Sequence, residues 1–160
     1  MPMLESLSVP KRRVAAQFVL PGGASREVAV FLSEAAPGYN GGERLSDLLN
    51  ASGSQFIPAL DAKTNAMTFV RCENLALARV AAEHEPNAAD QFTIPTEHEV
   101  EVTLADGLKL RGLITYVLPE AHSRLTDYLN SAPSFFPLLE GEHVVLVNKH
   151  HVAYVETLRR

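Results

Sequence analysis

The sequence predicts a mainly β protein built as two tandem small five-stranded barrels, each with one short helical turn, related by internal duplication. Three observations carry this. A seven-residue segment recurs far along the chain with its neighbours in step, both copies alternate apolar and polar residues between turn signals, and each copy ends on a strand, a one-turn break and a second strand.

The repeat comes first because it organises everything else. Arg44-Leu45-Ser46-Asp47-Leu48-Leu49-Asn50 returns as Arg124-Leu125-Thr126-Asp127-Tyr128-Leu129-Asn130, with five of seven positions identical at an offset of 80. Phe56-Ile57-Pro58-Ala59-Leu60 corresponds to Phe135-Phe136-Pro137-Leu138-Leu139 at 79, Val70 and Leu75-Ala76 to Val147 and Val152-Ala153 at 77, and Leu20 and Gly23 to Leu104 and Gly107 at 84. An offset that drifts in small steps is what one module copied with minor loop insertions leaves behind. The chain divides into an N-terminal extension (1–11), module A (12–82), an acidic linker (83–97) and module B (98–158).

Module B shows the plan most plainly. Val100 to Leu104 alternates and meets Asp106-Gly107, residues that tolerate the positive φ angles of a tight hairpin. A long second strand follows from Lys109 to Leu118, with Gly112 in mid-run marking a bend or close approach. Leu125 and Leu129, four apart, share one face of a short helix, Arg124 and Asp127 pair three apart, and Asn130 suits a left-handed helix end. Phe135 to Leu139, His143 to Val147 and Val152 to Glu156 are the remaining strands, with Asn148-Lys149-His150-His151 as the break. Module A repeats this with Arg12 to Leu20, Glu27 to Leu32, Phe56 to Leu60, Met67 to Arg71 and Leu75 to Val80, and with a longer loop at 37–42.

The strand, break and strand of Val144–Glu156, with the long bent second strand, resembles the Sm-like or SH3-like small-barrel superfamily. The Arg-Leu-(Ser/Thr)-Asp-x-Leu-Asn segment followed by Phe-(Ile/Phe)-Pro-x-Leu is similar to uncharacterised bacterial proteins that carry such modules singly or in tandem. The resemblance implies a fold and brings no activity with it. Sm proteins carry an Arg-Gly or Lys-Gly signature near the last two strands; here the break reads Arg71-Cys72-Glu73-Asn74 or Asn148-Lys149-His150-His151, so RNA binding does not transfer.

Composition narrows the function classes. The net charge is −5, and the linker holds four acidic residues and no basic one, so each module is near neutral; the only basic cluster, Lys11 with Arg12-Arg13, reads as a solvated strand entry and falls short of what a nucleic-acid surface needs. No apolar run is long enough to span a membrane and the first residues do not form a secretory signal, which points to the cytoplasm. The lone Cys72 excludes an internal disulfide, and no phosphate loop, HExxH or dinucleotide glycine pattern occurs.

These features favour a non-catalytic protein–protein interaction or regulatory module, built as an intramolecular pseudo-dimer and without a cofactor. The partner is an unidentified protein, or a second copy joined through open strand edges. The candidate contact residues are the repeated Arg44, Asp47 and Asn50 and their counterparts Arg124, Asp127 and Asn130, because this is the most nearly identical segment of the two copies. The alternative is a metal- or small-ligand-binding protein using His143, His150 and His151, with His98 and His122 as possible neighbours, imidazole being the commonest metal ligand. Weak RNA binding ranks third.

Overall fold

The alternating segments become strands in the same order twice. The computed structural model describes residues 11–34, 42–86, 95–117 and 124–158. Its first half runs Lys11–Val19 (β1), Ser25–Ser33 (β2), helix Leu45–Ser52 (α1), Phe56–Asp61 (β3), Met67–Arg71 (β4), a 3-10 turn Cys72–Asn74 and Leu77–Ala81 (β5). After a further 3-10 turn at Ala82–His84, the second half runs Thr96–Leu104 (β6), Lys109–Tyr116 (β7), helix Leu125–Ser131 (α2), Phe135–Glu140 (β8), His143–Asn148 (β9), a 3-10 turn Lys149–His151 and Val152–Thr157 (β10).

All ten strands join one antiparallel sheet in the order β10-β6-β7-β8-β9-β5-β1-β2-β3-β4. Within each half the fifth strand lies beside the first, and the second, third and fourth follow. The halves meet where β5 pairs with β9, from Leu77 opposite Val147 to Ala81 opposite His143. This corrects the expectation of two barrels packed on each other. The sheet is not closed, because the edge of β5 takes its ladder partner from the other half, leaving β4 and β10 as the two ends.

The pleat of that junction divides the core. Ala78 and Val80 of β5, with Val144 and Leu146 of β9, face one apolar cluster that also holds Val14, Val30, Leu32, Leu45 and Leu49. Leu77, Val145 and Val147 face the opposite cluster with Val100, Val102, Ile114, Phe136 and Leu138. Successive strand residues point to opposite faces, so one pair of strands feeds both cores and ties the halves together.

Local chemistry explains the bends. Gly107 has φ of 94°, and the Asp106 carboxylate accepts from the backbone N–H groups of Leu108 at 2.9 Å and Gly22 at 2.5 Å, linking the hairpin tips of the two halves. A Cβ at Gly112 would collide with the Leu139 carbonyl and the Leu138 side chain, so glycine permits β7 to approach β8 where they cross. Gln55 accepts from the Cys72 N–H, and the alternation of ladder bonds that follows turns the nitrogen of Pro58 away from β4, where no N–H is required.

Two boundaries differ from expectation. The segment 83–97 is not all connector: Ala82–His84 forms a turn, Glu85 packs on α1, and Thr96–Glu97 already belongs to β6, pairing with Tyr116 and Thr115. Residues 1–10, 35–41, 87–94 and 118–123, which include His122, Leu118 and most of the 37–42 loop, lie outside the described residues. Among the described residues no helix is long and apolar enough to cross a membrane.

Candidate functional site

The repeated element folds alike in both halves but meets different surroundings. At α1, the Arg44 N–H donates to Asp47 Oδ2 at 2.9 Å, and the Arg44 guanidinium grips the same carboxylate through Nε at 3.1 Å and Nη2 at 3.0 Å. Its Nη1 donates to the Pro86 carbonyl at 3.0 Å, and the side chain is only 18% exposed. At α2, Arg124 reaches Asp127 at 3.1 and 3.4 Å and is 80% exposed. Leu45 and Leu49 are buried in the first core, whereas Leu125 and Leu129 only lean against the second.

Asn50 is not a helix cap. Helix α1 continues to Ser52 and ends at Gly53, with φ of 57°; α2 ends at Ala132 in extended conformation. Instead the Asn50 carboxamide crosses to the other half, donating through Nδ2 to the Phe135 carbonyl at 3.1 Å and accepting from the Phe135 N–H at 2.8 Å. An amide side chain thus imitates one residue of a neighbouring strand. Asn130 is exposed and has no such strand to bridge among the described residues.

The same helix borders a cleft of about 370 Å³ between the halves, where Arg44, Asp47 and Asn50 face Glu85, Phe135 and Pro137. Glu85 accepts from the Ser46 N–H at 3.3 Å through one oxygen, and its other oxygen is buried without a partner. Burial raises the Glu85 pKa above the usual carboxylate value, opposed by the Ser46 hydrogen bond and by Arg44.

A second junction residue went unnoticed in the sequence. Asn148, buried at the end of β9, donates to the carbonyls of Glu73 at 3.2 Å and Leu75 at 2.9 Å, and accepts from the His150 N–H. Only its position beside the break hinted at this. Arg79 of β5 adds an ion pair to Glu140 at 3.0 Å and donates to Gln17 at 2.6 Å.

The described histidines do not converge. His143 opens β9 and His150 and His151 lie past its far end, roughly 17 Å or more along an extended strand. His151 contacts the Glu73 carbonyl, and His98 stacks on Tyr116, which stacks in turn on Tyr128. Among the described residues no group of three His, Cys, Asp or Glu side chains is placed to hold a metal ion. Cys72 is buried, and that burial raises its pKa, away from the thiolate a nucleophile needs.

The two ends of the sheet carry the most exposed apolar surface. Phe69 on β4 is 65% exposed and Phe56 beside it 61%, with Met67 also exposed, while Tyr154 on β10 is 67% exposed. Large apolar side chains on an unpaired strand edge invite pairing with another chain. Comparison with protein-family models, with curated proteins and with solved structures finds no match to this chain.

Proposed function

We propose that the protein is a non-catalytic interaction protein, made of two copies of one small SH3-like or Sm-like five-strand module, that works by accepting a partner's strand at the open edges β4 and β10. The recurring element order and the common strand arrangement of the halves support the duplication. The observation that carries the function is the placement of Phe69, Phe56 and Met67 at one end of the sheet and Tyr154 at the other. A strand added there gains ladder hydrogen bonds along its length and apolar cover for these side chains.

Immobilised wild-type protein tests this against Phe69→Asp and Tyr154→Asp variants whose circular dichroism is unchanged. A stoichiometric protein, whether another copy or a different chain, is retained by the wild type and lost from at least one variant. Retention that ignores both substitutions, or none at all, contradicts the reading.

A further inference from the structure

The junction inside the chain specifies what fits its ends. In the repeat, β5 of the first half corresponds to β10 of the second, and β9 of the second to β4 of the first. The internal β5–β9 contact is therefore a fifth strand meeting a fourth, and among the described residues the two ends of the sheet expose one free edge of each kind. We infer that β10 of one copy pairs with β4 of the next, repeating the internal junction head to tail, with a second copy of this chain as the occupant. This rests on the strand-edge reading above and commits it to a partner.

The register follows from the correspondence at 77 residues. Leu77 opposite Val147 becomes Tyr154 opposite Val70, Ala78 opposite Leu146 becomes Val155 opposite Phe69, and Arg79 opposite Val145 becomes Glu156 opposite Thr68. Exposed Tyr154 and Phe69 thereby come to lie at positions that are buried in the internal junction.

A further detail agrees with it. Asn50 spans from α1 to the N–H and C=O of Phe135 in the other half; the corresponding pair is Asn130 and Phe56, and both are exposed. The ladder alternation that turns the Phe135 N–H and C=O away from β9 turns those of Phe56 away from β4 in the same manner, toward the incoming copy. The ion pair of the internal junction is not copied: Glu156 takes the place of Arg79, and the counterpart of Glu140 is Asp61, which already holds Arg26 at 3.5 Å.

A heterologous contact of this kind makes rings when its rotation closes and filaments when it does not. Asn148 N–H donates to the Ala76 carbonyl, so Arg79 and Val145 form a non-hydrogen-bonded pair, and so do Glu156 and Thr68. Such pairs bring side chains closest, within range of a disulfide.

The test mixes full-length Thr68→Cys protein with Glu156→Cys protein under mild oxidation. Disulfide-linked heterodimers in large excess over either homodimer support head-to-tail pairing; homodimers in excess, or no linkage, overturn it. Phe69→Asp should weaken assembly several-fold, and Asn130→Ala should weaken assembly without lowering the melting temperature of dilute protein. A chain that stays monomeric but retains a different protein through β4 or β10 overturns self-assembly and leaves the strand-edge reading standing; one that retains nothing overturns both.

Discussion

Helices α1 and α2 carry nearly the same seven residues, yet one is built into the molecule and the other rests on its surface. At α1 the other half stands alongside, so Arg44 is mostly covered, Leu45 and Leu49 are buried, and Asn50 bridges to Phe135. At α2 no other half lies alongside among the described residues, and Arg124 and Asn130 are exposed. The element is therefore a joint: its hydrogen-bonding capacity is completed only when another module lies next to it.

Substitutions in matched pairs sharpen this contrast. The largest difference is expected for the leucines. Leu49→Ala removes a fully buried side chain and should cost about 2–5 kcal/mol in urea unfolding, while Leu129→Ala at the less covered position should cost about 1–2 kcal/mol. Equal costs would mean that the two helices are equally embedded. Asn50→Ala comes next, since it strips both partners from the Phe135 backbone at a partly buried site, and should lower stability by about 1–3 kcal/mol. Asn130→Ala in dilute protein should fall within about 0.5 kcal/mol of wild type.

For the arginines, Arg44→Ala should cost about 1 kcal/mol and Arg124→Ala clearly less, an exposed i,i+3 pair being weak and screened by salt. The difference between them should survive 0.5 M salt if covered contacts to Asp47 and Pro86 cause it. The smallest effect concerns Glu85. Burial raises its folded pKa above the unfolded value, so the native state holds this proton more tightly and stability declines as pH rises through and above the ordinary glutamate range. Glu85→Gln should melt slightly above wild type at pH 7, and the gap should close on acidification to about pH 4; a gap that widens instead would show that the carboxylate is favoured by Arg44 more than burial disfavours it.

Much of the local structure was legible because short-range chemistry decides it. Phe56 to Leu60 and Met67 to Arg71 alternate, Asp106-Gly107 supplies its own turn, and the leucine spacing in Arg44–Asn50 defines one helical face; the observed strands and α1 match these closely. Strand β6 began earlier than its apolar residues suggested, because Glu97 and Glu99 keep pairing with Thr115 and Leu113 although their side chains face water. What pattern could not reveal was partnership. Leu77-Ala78-Arg79-Val80 looks as ready to close its own barrel as to meet another half, and only the ladder with β9 shows which edge it takes. The role of Asn50 was hidden for the same reason, since its target lies 85 positions away.

Light scattering across a concentration series tests the central claim most directly. The expected mass is a multiple of the 17.4 kDa chain, reached through discrete or growing species and lost on Phe69→Asp. A constant 17.4 kDa at every concentration would contradict it.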